Sequence, residues 1–238
     1  MSRSVLQIVV RMLVVGLFAL ALPAALRADS AFGQFSLTNN PSGNWSYGFT
    51  PSLGGSFTLY NNISGLGVPP YGTLYVWTTP PNGFLSANTF GTTILPCPSC
   101  SLQIPPNFLV LHPGNNSGVY SVLRWTAPSA GTYTINGLFQ GVDFQPFPTT
   151  DVHVLVNGAP VFSNSINSFG VPLNYNLMQS LVAGDTIDFA VGNGGNGYVH
   201  DSTGLVANVN LVPTPEPGTL ALFGTGLAGL FARRRRKA

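Results

Sequence analysis

Charge is what this sequence has least of. Only 7% of its 238 residues are Asp, Glu, Lys or Arg, and the cations crowd the two ends. Arg3, Arg11 and Arg27 stand near the start, and Arg233, Arg234, Arg235, Arg236 and Lys237 near the finish, leaving Arg124 as the single cation between residues 29 and 212. Against it stand Asp29, Asp143, Asp151, Asp185, Asp188, Asp201 and, just beyond, Glu216. The formal +2 of the whole chain therefore conceals a middle portion at about −6. Nucleic-acid binding is excluded on this ground, because a phosphate backbone demands a basic footprint.

Cysteine is almost as scarce. Cys97-Pro-Ser-Cys100 has redox-motif spacing, but that chemistry needs a helix start in a βαβ setting. Prolines at 96, 98, 105 and 106 force an extended loop instead. A zinc site would need two further ligands, and only His112, His153 and His200 are on offer. The expectation is a small-loop disulfide between Cys97 and Cys100, formed outside the cytoplasm. Also lacking are an amphipathic helix between residues 29 and 211 and any G-x-S-x-G or H-E-x-x-H motif.

What is present is strand and turn. The 28 glycines and 20 prolines punctuate short runs rich in Val, Ile, Thr, Phe and Tyr. Residues 132–139 alternate, with Tyr133, Ile135, Gly137 and Phe139 on one face. Residues 151–156 align Val152, Val154 and Val156, and Asn157-Gly158 then turns the chain into 159–164. Further strands are expected at 34–37, 45–50, 56–60, 73–77, 119–126, 186–191 and 205–211. Hydrophobic content of 45% is ample for a core. The expected fold class is all-β, a β-sandwich of the jelly-roll kind over 29–212.

The ends read differently. Residues 1–28 form a signal peptide, with arginines ahead of the apolar run 12–22 and small residues after Pro23. Two cleavage points are open. Ala28-Asp29-Ser30 fits a small-x-small site ending at Ser30, whereas cutting after Ala28 leaves Leu26 three residues back. At the other end, 218–232 is apolar and uncharged, about 22 Å long as a helix. The five cations that follow would hold its far end on the cytoplasmic side. Residues 213–238 are thus expected to be an anchoring segment with a short membrane helix.

Candidate chemistry in the middle is sparse. His200-Asp201-Ser202 is not a triad, since neighbours in an extended segment point apart and triads are assembled from distant positions. Asp143, Asp151, Asp185, Asp188 and Asp201 offer carboxyl pairs for glycoside hydrolysis, but most flank turns, where Asp caps backbone. No enzymatic role is expected. Asp201 with the 193–196 loop offers oxygens either to calcium or to Asx turns. Trp45, Tyr47, Trp77 and Tyr198 are candidate sugar-binding aromatics, and Trp125 is expected in the core.

Pro215-Glu216-Pro217, the apolar segment and the terminal cations together resemble the PEP-CTERM tail. The resemblance implies a processing enzyme of the exosortase type acting at that tripeptide, in a bacterium that makes extracellular polysaccharide. The string from Ser121 through Asp201-Ser-Thr-Gly-Leu205, with Asn40-Pro-Ser-Gly-Asn-Trp-Ser-Tyr-Gly48, is similar to a jelly-roll module related in organisation to carbohydrate-binding modules and galactose-binding-like domains. An exported, non-catalytic surface protein associated with extracellular polysaccharide is the expectation. The alternatives are a structural matrix or coat protein, or a secreted glycoside hydrolase.

Overall fold

The computed structural model describes residues 29–95, 101–116 and 118–213 and, in the tail, Gly224 and Gly226. The expected signal peptide, the Cys97–Cys100 disulfide, the Pro215-Glu216-Pro217 motif and the terminal cations lie outside the described residues. Among the described residues no helix is long and apolar enough to cross a membrane.

Fourteen strands follow in order: β1 (Asp29–Ser30), β2 (Trp45–Thr50), β3 (Thr58–Leu59), β4 (Asn62–Val68), β5 (Gly72–Thr78), β6 (Phe84–Ala87) and β7 (Leu109–His112), then β8 (Tyr120–Thr126), β9 (Gly131–Gly141), β10 (Thr150–Val156), β11 (Ala159–Ile166), β12 (Pro172–Leu181), β13 (Thr186–Val191) and β14 (Thr203–Leu211). They make two antiparallel sheets. The larger runs β12-β9-β14-β7-β6-β5-β4, with β1 beside the second half of β14, and the smaller runs β11-β10-β13-β8-β2-β3. From β8 onward the chain crosses repeatedly between the sheets, as a jelly roll does.

Alternation places the core as expected. Tyr133, Ile135 and Phe139 of β9 face inward with Val152 and Val154 of β10 and Ile187, Phe189 and Val191 of β13. The β10–β11 turn has Asn157 and Gly158 at φ 50° and 80°, the paired positive angles that close a tight hairpin. One expected strand is absent. Residues 34–37 form a turn, because the Ser36 hydroxyl accepts from the backbone N–H of Thr38 and Asn39 and competes with any ladder. Strands β1, β4, β6, β7 and β12 correspond to none of the strands expected from the sequence.

Trp45 and Trp125 sit opposite each other on β2 and β8 and are fully buried. Their indole N–H groups both donate to the carboxylate of Asp29, each at 2.7 Å. Asn44 Nδ2 and Gln34 Nε2 donate to the same carboxylate at 2.7 and 2.5 Å. Four neutral dipoles thus solvate one buried-side anion without a cation. Arg124, the lone cation of the domain, is committed elsewhere: its Nε and Nη2 each lie 2.7 Å from an Asp188 oxygen, and Phe57 stacks over the guanidinium at 4.2 Å. Such a two-pronged pair leaves no free positive charge on the sandwich.

Candidate functional site

The larger sheet outruns the smaller at its β4–β5 end, and there its inner face is open. Thr73 and Tyr75 of β5 share the face of Trp77, yet Trp77 is buried while Tyr75 is 46% exposed. Gly65 of β4 lies directly across from Tyr75. A side chain there would meet Thr73 Cγ2 at 2.9 Å and the Tyr75 ring at 3.3 Å, so the tyrosine ring occupies the space glycine leaves. The ring therefore lies against the backbone of β4 with its other face to solvent.

Phe35 and Leu37 form the facing wall, and Thr89 and Phe90 close the end, enclosing a groove of about 360 Å³. Phe90 is braced by Tyr71, ring centroids 6.2 Å apart. No lining residue is ionisable at neutral pH; the polar groups at the groove are the hydroxyls of Thr73, Thr89 and Tyr75. An aromatic face with hydroxyl partners and no charge suits a neutral polyhydroxyl ligand.

None of the four aromatics expected to bind sugar lines this groove. Trp45, Tyr47 and Trp77 are 0%, 0% and 8% exposed, and a ring with no solvent-facing side cannot stack on a sugar. Two of them hold the groove from beneath. Trp77 Nε1 donates to the Ser36 carbonyl at 2.7 Å, and Tyr47 Oη accepts from Ser36 N–H at 3.1 Å and packs on Phe35 at 5.2 Å. Asn40 fixes the far end of the same turn by bonding both the N–H and the carbonyl of Tyr47. Tyr198 is elsewhere, its edge against His112, which in turn stacks on Phe84 at 5.0 Å. Burial pushes the His112 pKa down, and its Nδ1–H donates to the Pro113 carbonyl, so the ring is neutral with Nε2 as acceptor.

The calcium alternative meets a donor set already engaged. Asn193 Oδ1 accepts from Gly195 N–H, an Asx turn, and Asn196 Oδ1 faces the Thr149 hydroxyl at 3.0 Å. Asp201 Oδ1 accepts from the Thr149 backbone N–H at 2.7 Å. Asp201 Oδ2 is buried without a hydrogen-bond partner, whereas calcium takes six to eight oxygens. No cluster of three ligating side chains occurs among the described residues. His200, Asp201 and Ser202 do not bond one another; His200 and Ser202 both meet the Ser101–Asp143 pair, and Asp201 turns to Thr149. His200 Nδ1 bonds Ser101 Oγ at 2.7 Å, and Ser202 N–H bonds Asp143 Oδ2 at 2.8 Å.

A different Ser-His-Asp chain does form, on the outer face of β10 and β11. Ser163 Oγ lies 2.8 Å from His153 Nδ1, and His153 Nε2 donates to Asp151 Oδ2 at 2.9 Å. Tyr120 Oη and Gly194 N–H also donate to Asp151, at 2.6 and 2.8 Å. It belongs to the other sheet from the groove, and its clearest effect is on one carboxyl. Burial alone would raise the Asp151 pKa, but the bonds from His153, Tyr120 and Gly194 outweigh it and bring it down to about 2. A depressed carboxyl stabilises the fold above its unfolded pKa, near 3.9, and that contribution is lost as pH falls through the folded value. Asp201 works oppositely: burial raises its pKa against the bonds from Thr149, so its ionisation costs stability that acid returns. Asp151→Asn is therefore expected to cost about 1–2 kcal/mol at pH 7, after allowance for partial exposure. It should also flatten the acid limb between pH 4 and 2. Urea unfolding across that range measures both.

Residues 213–237 match the PEP-CTERM protein-sorting motif. Against curated proteins the sequence has no match. Among solved structures, similar chains include a family 35 carbohydrate-binding module from Clostridium thermocellum, 19% identical over 42% of this chain and 76% of that one, with a TM-score of 0.31. Another is the CBM51 of Clostridium perfringens GH95 in complex with methyl-galactose, 12% identical over 64% and 90%, with a TM-score of 0.33. Rabbit GITRL is 20% identical over 40% and 74%, with a TM-score of 0.29. No residue of this chain takes a role from these likenesses.

Proposed function

We propose that this chain, which carries a sorting signal for export and membrane processing at its C-terminus, is held by that tail, processed by an exosortase-type enzyme, and displayed at the cell surface or in the extracellular matrix. There its sandwich associates, without catalysis, with extracellular polysaccharide. The observation that carries the glycan reading is the uncharged groove beside Tyr75, with one aromatic face open to water. Trp45, Tyr47 and Trp77 serve the fold and the groove wall rather than the ligand.

The test is retention on insoluble polysaccharides. Binding to a neutral glucan or mannan that is unaffected between 50 mM and 1 M salt is expected, because no ion pair is made. Retention only on acidic polymers, or loss of it in salt, would count against the groove. Intact mass of the surface protein tests processing: a product lacking Arg233, Arg234, Arg235, Arg236 and Lys237 is expected.

The edge strands favour a second reading, that of a structural matrix protein without glycan specificity. β3, β4, β11 and β12 end the two sheets and contain no charged residue, whereas exposed edges are ordinarily guarded by charge or proline. β12 begins with Pro172 and β11 carries Pro160 beside a register shift, so each is guarded only near its start, and β3 and β4 have neither charge nor proline. Concentration-dependent assembly in light scattering, with no polysaccharide retained, would decide for that reading.

A further inference from the structure

We propose that the mature chain begins at Asp29, through hydrolysis of the Ala28–Asp29 peptide bond by the membrane endopeptidase that removes export signals. Water is the co-reactant, leaving a carboxylate on Ala28 and an ammonium on Asp29. The sequence admits a second bond, Ser30–Ala31, and by residue type favours it, since Leu26 is large for the position three residues before a cut at Ala28.

The fold decides otherwise. Asp29 is not a leftover of the leader. Its carboxylate is the acceptor for both buried indoles, Trp45 and Trp125, and for the amides of Asn44 and Gln34. Its backbone continues the larger sheet, with Asp29 opposite Val209 and Ser30 opposite Asn208. A cut after Ser30 would remove this strand and strip two buried indoles of the carboxylate to which their N–H groups donate, the costly kind of loss. A cut after Ala28 keeps every one of these contacts.

N-terminal sequencing and intact mass of the protein exported from its full precursor test this. Asp29 as the first residue is the expected result; Ala31, or any residue ahead of 29, overturns it. A companion measurement checks the reason. Asp29→Ala in the full precursor is expected to be cut at the same bond and to unfold about 5–10 °C lower. An unchanged midpoint would overturn the claim that the carboxylate holds the indoles. If Asp29→Ala does not accumulate, Asp29→Asn, which keeps one acceptor oxygen, is expected to show a smaller fall of the same sign.

Discussion

Replacing Tyr75 with alanine is expected to weaken retention on neutral polysaccharide by about thirtyfold, while the thermal midpoint stays within about a degree. The size follows from one aromatic face, whose buried area and stacking together come to roughly 2 kcal/mol. The indifference of the fold follows from position. Tyr75 is 46% exposed at the open end of the larger sheet, and its ring leans on Gly65 rather than on the core. Tyr75→Phe should keep most of the binding, since the ring face remains and only the hydroxyl is lost. Trp77→Ala makes the instructive contrast. It removes the donor that fixes the Ser36 carbonyl, so binding and stability should fall together. Depletion assays with circular dichroism on the same samples separate the two patterns. Full retention by Tyr75→Ala would remove the groove from consideration.

Gly137→Ala is expected to leave little or no folded protein, with a loss of about 4 kcal/mol or more. Gly137 lies mid-strand in β9, between Ala207 of β14 and Tyr175 of β12. A methyl group there would fall 1.8 Å from the Val206 carbonyl oxygen and 2.5 Å from Tyr175 Oη. The same two groups hydrogen-bond to each other at 2.7 Å across the bare glycine. The substitution therefore breaks that bond and forces two central strands apart. Gly67→Ala is the control, because nothing lies within 4 Å of its added methyl; it should be nearly neutral. Soluble yield and urea midpoints of the pair report the difference.

Gly137 also shows how far sequence pattern reaches. Alternation over 132–139 correctly set it on the inward face with Ile135 and Phe139, but nothing in the pattern says that a tyrosine on the neighbouring strand must reach across it. Period-two alternation reports which face a residue takes, and that is why β9, β10, β13 and β14 were legible. β4 was not, because Gly65 and Gly67 thin its apolar pattern. β12 was not, because asparagines and glutamine dilute it.

The candidate groove was not legible in the sequence for a related reason. Tryptophan and tyrosine are amphipathic, and residue type alone cannot say whether the polar tip bonds a ligand or another group of the chain itself. Trp45 and Trp77 took the second course, with Asp29 and Ser36 as acceptors. Tyr75 carries no distinguishing local signal. Its exposure arises because one sheet outlasts the other, a property of two strands' ends brought together by topology. The glycine opposite it, at a cross-strand position, was the one available hint, and reading it requires the register.

The antiparallel pairing of β1 with β14 sets how the domain stands. Asp29 lies beside Val209, so the chain comes in and goes out at one pole, a strand's width apart, about 5 Å. Only residues 212–214 separate the end of β14 from Pro215, a leash of at most about 10 Å. A precursor fastened to a bilayer at both ends would stand upright on two adjacent legs, that pole down, with no strand peeled away to reach the surface.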